Sequence, residues 1–182
     1  MLNNYLYSWI EGIPAEYCDL ILNPLDWSKK ESGKIGGSLE KVGDEKVEYR
    51  NTDLIWLDQL TPIGCILKGY VDAANKFAGW NYDYHGMETV QIGRYKESGH
   101  YSWHRDVSIP MNNCQRKLSI VVLLNDPSEF EGGKLEFRDV PAPDLKKGSI
   151  VVFPSFLEHR VTPVTSGVRY TAVSWVVGPT FK

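Results

Sequence analysis

The feature that most restricts what this chain can fold into is the texture of roughly its last hundred residues. Short β-rich runs follow one another, "METVQIGRY", "RKLSIVVLLND", "GGKLEF", "GSIVVFP" and "VRYTAVSWVV", full of the β-branched and aromatic residues that fit a pleated surface. Turn-forming pairs separate them: Asn125-Asp126, Gly132-Gly133 and Lys147-Gly148. Runs this short and this regularly punctuated predict an antiparallel sandwich or barrel, a mainly β fold with its helices packed on the outside. Two stretches have helical spacing. Residues 14–23, "PAEYCDLILN", predict a short helix, and Pro62 to Phe77, "PIGCILKGYVDAANKF", predict a longer one with proline in its first turn.

A chain of 182 residues is expected to form one domain with a core large enough to need no disulfides. Its net charge of −3 and pI near 5.8 argue against a nucleic-acid partner, since such proteins carry a basic excess to neutralise phosphates. The three cysteines, Cys18, Cys65 and Cys114, are odd in number and far apart, which fits a reducing compartment; two are expected buried and one in a loop. The N-terminus lacks a cationic start, and no segment approaches the roughly 20 apolar residues that span a bilayer. The expectation is a cytoplasmic protein with no membrane partner. Residues 28–50, "SKKESGKIGGSLEKVGDEKVEYR", offer little to bury and read as a solvated loop or hairpin, with a substrate-covering loop as the sharper alternative.

Chemistry concentrates in "GHYSWHRD", positions 99–106. In a strand, alternate side chains share a face, so His104 and Asp106 would project together with Cα atoms about 6–7 Å apart. That is a workable bite for one metal ion, but a third ligand must come from elsewhere. Of the four histidines, His85, His100, His104 and His159, the last is the best candidate, because "FPSFLEHRVTPV" brackets it with turns at the end of an apolar strand. Two histidines and one carboxylate form a facial triad with open coordination positions, as in non-haem Fe(II) oxygenases. Zinc would also accept these ligands, and any one histidine by itself reads as an ordinary hydrogen-bonded residue. An i, i+4 pairing of His100 with His104 would need a helix that Gly99 and "YSW" oppose.

In the final strand, alternation puts Arg169, Thr171, Val173 and Trp175 on one face. An inward arginine needs an anion, because its charge cannot be removed by deprotonation. That anion is either a nearby Asp or Glu or the carboxylate of a ligand.

The segments "YKESGHYSWHRD", "LNDPSEFEGGKLEF" and "KKGSIVVFPSFLEHRVTPVTSGVRYTAVSW", in this order, resemble the 2-oxoglutarate/Fe(II)-dependent dioxygenases, in the prolyl 4-hydroxylase-like branch that includes the bacterial PKHD-type hydroxylases. The resemblance runs from about Arg50, in "RNTDLIWL", to near the C-terminus. It implies a double-stranded β-helix, a distorted jelly roll. It also implies that His104, Asp106 and His159 bind Fe(II) and that Arg169 pairs with the C5 carboxylate of 2-oxoglutarate. Tyr95 would donate a hydrogen bond to the same end of the cosubstrate, with Thr171 a weaker candidate. Leu135 and Val161 would wall the cosubstrate pocket and Trp175 would close it. Tyr101 and Asn125 match family positions without a settled role; Leu123 falls where some relatives carry a tyrosine, so that contact is expected to be missing.

The implied reaction consumes 2-oxoglutarate and O2 and releases succinate and CO2 while a substrate C–H bond is hydroxylated, with ascorbate an optional reductant. Prolyl residues of a peptide or protein are the expected substrate. Trp103, Arg105 and Tyr101, beside the metal ligands, are candidates to line its path, and Trp103 and Arg105 read equally well as structural. A free amino acid or other small metabolite is the principal alternative. AlkB-like nucleic-acid dealkylation fits less well, because that group carries R-x5-R where Arg169 is followed six residues later by Trp175. A silent cupin-like binding module fits least, because cupins gather more histidines and use H-x-H where this chain has H-x-D.

Overall fold

The computed structural model describes residues 5–33, 49–107 and 113–181. Strand Tyr7–Trp9 (β1) and helix Ala15–Leu22 (α1) come first, then Glu31–Ser32 (β2), Arg50–Asn51 (β3), Asp53–Leu57 (β4) and helix Pro62–Phe77 (α2). Gly86–Met87 (β5), Val90–Tyr95 (β6), His100–His104 (β7) and Cys114–Leu123 (β8) follow. The chain finishes through Phe130–Gly132 (β9), Leu135–Phe137 (β10), Ile150–Pro154 (β11), His159–Val161 (β12), Val164–Gly167 (β13) and Arg169–Pro179 (β14). Both helices lie where the sequence pattern puts them, and α2 has the predicted bounds. Most of segment 28–50 lies outside the described residues, so the covering-loop expectation falls there too.

The strands form a large antiparallel sheet ordered β1-β11-β8-β14-β6-β4-β2, with β5 also paired to β14, and a smaller sheet ordered β10-β12-β7-β3. A two-stranded ribbon, β13-β9, completes them. This is the mainly β, double-stranded β-helix architecture, and the period-2 alternation of the large sheet explains how it carries two separate interiors. On one face Val90, Ile92, Leu118, Ile120, Val122, Ile150, Val152, Ala172 and Val176 pack against Ile63, Leu67, Val71 and Ala74 of α2. The intervening residues, among them Val121, Val151 and Phe153, pack with Leu135 and Phe137 of the small sheet. The first face builds an apolar core under the helix; the second faces the small sheet, where polar residues enter the pattern.

Two details differ from the sequence reading. Only Cys18 is buried; Cys65 is exposed on α2 and Cys114 is half-buried at the start of β8. Helical spacing puts Cys65 on the face of α2 opposite Leu67 and Val71, where an apolar character is not required. Asp106 lies two residues past the end of β7, so strand alternation is not what brings it beside His104.

Candidate metal centre

His104 ends β7 and His159 begins β12, and the two are direct cross-strand partners in the small sheet. The register shifts between this pair and the next, Tyr101 with Val161, so Ser102 and Trp103 together oppose Arg160. Such a bulge re-aims side chains. It lets Tyr101 and His104, three residues apart, both line the pocket, while Trp103 is turned out of it. The Tyr101 ring stacks on His104 with centroids 3.5 Å apart and planes 15° apart.

Asp106 completes the cluster, and the candidate ligand atoms of His104, Asp106 and His159 all lie within 4.8 Å of one another. His104 Nε2 stands 3.5 Å from Asp106 Oδ1, and His159 Nε2 stands 3.5 Å from Asp106 Oδ2. Each ring holds its Nδ1 against a backbone carbonyl two residues earlier, His104 to Ser102 at 2.8 Å and His159 to Leu157 at 2.9 Å. A carbonyl can only accept, so Nδ1 carries a proton in both rings and both Nε2 atoms turn toward Asp106. Two imidazole Nε2 atoms and a carboxylate aimed at one point are the donor set of a facial triad and fit Fe(II).

The electrostatics favour the ligand forms of Asp106 and His159. Burial works to raise the pKa of Asp106, but His159, His104 and the nearby Trp175 indole outweigh it and hold the carboxyl well below the usual range. Burial pushes the His159 pKa down, against the pull of Asp106, and favours neutral imidazole. Burial also raises the Tyr101 hydroxyl to about 12, so it stays a phenol.

Next to the triad, the site-facing side of β14 contributes Arg169, Thr171, Val173 and Trp175 to one pocket with Arg50, Gln91, Tyr95, Val121, Leu135 and Val161. Arg169 is 2% exposed. No Asp or Glu among the described residues forms an ion pair with it; its neighbour is the Tyr95 ring, 5.4 Å from the guanidinium carbon, across the β14–β6 register that pairs the two residues. The structural ion pair considered from sequence is therefore not what holds this arginine. Thr171 Oγ1 is also buried without a hydrogen-bond partner, and the buried Trp175 Nε1 has only the Asp106 carboxylate near it, outside hydrogen-bond geometry. A buried cation and an orphaned hydroxyl lining one pocket are costly by themselves and suit an anionic, hydrogen-bonding ligand.

Leu135 and Val161 are register partners on β10 and β12 and are both buried. Trp103 lies between two arginines, with the guanidinium carbons of Arg138 and Arg160 4.6 and 4.7 Å from its ring centroid. Arg105 is exposed and 3.8 Å from Glu158. Neither residue lines the pocket. Asn125 supports the backbone: its Nδ2 donates to the Val168 carbonyl and its Oδ1 accepts from the Tyr170 N–H, both at 2.8 Å, which clamps the chain on either side of Arg169. Leu123 is buried opposite Thr171 on the β8–β14 register.

Sequence reasoning missed four polar residues here. Arg50 and Gln91 line the pocket and are bonded to each other, Arg50 Nη2 to Gln91 Oε1 at 2.9 Å, and Ser119 and Ser155 form a hydroxyl chain that ends on Asp106. Ser119 carried a legible signal, a lone hydroxyl inside the apolar run "LSIVVLL".

The fold and the site together define a double-stranded β-helix with a two-histidine, one-carboxylate metal centre. Comparison with known proteins agrees: residues 90–177 match the model of the 2OG-Fe(II) oxygenase superfamily, and the curated proteins similar to this part of the chain are PKHD-type hydroxylases. One similar curated protein is a PKHD-type hydroxylase of Idiomarina loihiensis, 38% identical over 90 residues, which are 48% of this chain and 41% of that protein. The chain thus spans less than half the length of the curated relatives it matches. Among solved structures, a viral collagen prolyl hydroxylase from Paramecium Bursaria Chlorella virus-1, in its 2OG complex, shares the fold with a TM-score of 0.71 and 21% identity over 98% of this chain and 99% of that one. A prolyl hydroxylase from Trichoplax adhaerens, in complex with a hypoxia inducible factor peptide fragment, gives a TM-score of 0.65 at 17% identity, over 95% and 83% of the two chains.

Proposed function

We propose that this protein is an Fe(II)- and 2-oxoglutarate-dependent dioxygenase that hydroxylates prolyl residues in a peptide or protein and releases succinate and CO2. The observation that carries the reading is Arg169: a guanidinium sealed from solvent without a carboxylate partner among the described residues, in the pocket that also holds His104, Asp106 and His159. Its bidentate fork suits the C5 carboxylate of 2-oxoglutarate. Tyr95 and Thr171 flank that end, Leu135 and Val161 form apolar walls, and Trp175 lines the same pocket near the triad's carboxylate.

Bound iron with 2-oxoglutarate and O2 supplies the oxidising chemistry. The chain contributes the remainder. The two backbone-locked imidazoles and Asp106 present three donors to one side of an ion, Arg169 fixes the far end of the cosubstrate, and the apolar walls exclude water. The peptide-bound prolyl hydroxylase of the same fold supports a peptide or protein partner. Tyr101, on the His104 ring, is the residue best placed to meet it. The free thiols Cys18, Cys65 and Cys114 support a cytoplasmic setting, and no helix among the described residues is long and apolar enough to cross a membrane.

A second reading, hydroxylation of a small carboxylate metabolite, is favoured by Arg50, a further guanidinium lining the pocket. One experiment separates the two. Succinate release is measured with Fe(II), 2-oxoglutarate and either proline-rich peptides or free amino acids, and products are read by a mass gain of one oxygen. Peptide oxidation supports the first reading and metabolite oxidation the second. Absence of Fe(II)-dependent succinate release, or its survival in His104→Ala, would overturn both.

A further inference from the structure

We propose that Ser119 is a positioning residue for the Asp106 carboxylate: backed by Ser155, it retains one carboxylate oxygen for the protein and leaves the other for the metal ion. The proposal rests on the reading of the triad as a metal centre and deepens it. Asp106 needs such a device because it stands beyond the end of β7, where no ladder of strand hydrogen bonds orients it.

Ser119 Oγ donates to Asp106 Oδ2 at 2.7 Å, and the hydroxyls of Ser119 and Ser155 lie 2.9 Å apart. A serine has one hydroxyl proton and an ionised carboxylate has none to give. Ser119 spends its proton on Asp106, so Ser155 must donate to Ser119, and the chain runs in one direction, Ser155 to Ser119 to Asp106. Both serines are 0% exposed, so bulk solvent does not compete for either bond. Such chains polarise and strengthen each member.

The anchor of this chain also holds the ligand's backbone. Ser155 donates its N–H to the Lys117 carbonyl at 3.0 Å, and its own carbonyl accepts the Val107 N–H at 2.9 Å. Ser155 thus grips the residue after Asp106 through the main chain and Asp106 itself through two hydroxyls. Both serines belong to the large sheet side, Ser119 on β8 and Ser155 just after β11, whereas His104 and His159 come from the small sheet. The clamp therefore ties Asp106, which follows the small-sheet strand β7, to the large sheet, and so sets the distance from its carboxylate to the imidazoles. With Oδ2 engaged, Oδ1, 3.5 Å from His104 Nε2, is the oxygen without a serine partner.

The test is titration of the whole protein with Co(II) alone, without 2-oxoglutarate, following the dissociation constant by calorimetry and the coordination geometry by the visible d–d spectrum. Wild type should bind one Co(II) and His104→Ala should lose it. Ser119→Ala should weaken Co(II) binding about 10- to 100-fold, the range for partners of metal ligands, and alter the spectrum as the freed carboxylate changes its binding mode. Ser155→Ala should give a smaller loss of the same kind. Thermal unfolding of the metal-free proteins reports on folding; should Ser119→Ala fail to fold, Ser155→Ala carries the test. Wild-type affinity and spectrum in the folded serine variant would overturn the clamp and leave the triad standing. Failure of wild type to bind Co(II) would overturn the triad reading and the clamp with it.

Discussion

A guanidinium shut away from water is tolerable only if the fold shapes a place for its anion, and around Arg169 that shaping is visible in a glycine. Gly133 has φ +56°, and a Cβ there would stand 2.8 Å from Arg169 Cδ and 3.0 Å from Val164 Cγ2. The turn pair Gly132-Gly133 thus does more than reverse the chain: it leaves room for the arginine stem. Gly133→Ala should lower stability by about 1–2 kcal/mol through its left-handed backbone and raise the 2-oxoglutarate KM about 10-fold or more, a change of about 1.4 kcal/mol. Thermal unfolding and cosubstrate kinetics on the same variant check both effects. An unchanged KM beside a lowered Tm would show that Arg169 keeps its place without the glycine. Arg169→Ala should weaken cosubstrate binding more severely, by about 2–4 kcal/mol, because a charge-assisted pair is lost.

At the scale of elements, the edge of the large sheet is tied by charge as well as by the apolar packing of Leu54, Ile55 and Leu57. Asp53 of β4 is the register partner of Arg94 on β6 and accepts from its guanidinium at 2.8 and 3.1 Å, with Lys30 and Lys96 also in ion-pair contact. Burial alone would raise the Asp53 pKa, but Lys30, Arg94 and Lys96 overcome it and hold it at about 2, below the ordinary 3.8. A carboxylate with a depressed folded-state pKa stabilises the fold above its unfolded pKa and loses that contribution as pH falls through the folded one. Asp53→Asn should therefore be less stable than wild type at pH 7 by about 1–2 kcal/mol after solvent screening, with the gap closing between about pH 4 and pH 2. Urea unfolding across that range measures it; a gap that persists at pH 2 would assign the loss to packing. On the helix-covered face of the sheet, which Asp53 and Arg94 share by strand alternation with Ile55 and Ile92, Leu67 of α2 is 0% exposed, and Leu67→Ala should cost about 2–5 kcal/mol. Because that core is on the far side of the sheet from the triad, Co(II) affinity of the folded variant should not change.

For the whole molecule, the site exists only in the folded state, since its two histidines come from separate strands and its clamp from the other sheet. Anything that binds there stabilises the fold by mass action. A ligand at 100 times its dissociation constant contributes about 2.7 kcal/mol, or about 5–10 °C in Tm for a chain of this size. Metal and 2-oxoglutarate together should raise Tm by at least this amount, and removal of the metal with a chelator should reverse it. Arg169→Ala should retain the metal-induced rise and lose the further rise from 2-oxoglutarate. Differential scanning calorimetry of wild type and Arg169→Ala, each with metal alone and with metal plus 2-oxoglutarate, measures these shifts.

Local pattern was enough for much of this molecule. Helix α2 is written in its spacing and its N-terminal proline, the central strands in β-branched runs between turn residues, and the shared face of Arg169, Thr171 and Trp175 in simple alternation. Those properties depend on near neighbours in the chain, so a sequence displays them. The convergence of His104 with His159 was inferable from residue types, but the reason for it is a strand pairing, and the bulge that admits Tyr101 and expels Trp103 has no local signature. Asp106 shows the limit best. Alternation suggested that it shares a strand face with His104, whereas its position is set by Ser119 and Ser155, brought from distant parts of the chain. Residue identity by itself determined which chemistry was available; only the tertiary structure decided which atoms meet, because hydrogen bonds between strands far apart in sequence are fixed by register and burial rather than by spacing along the chain.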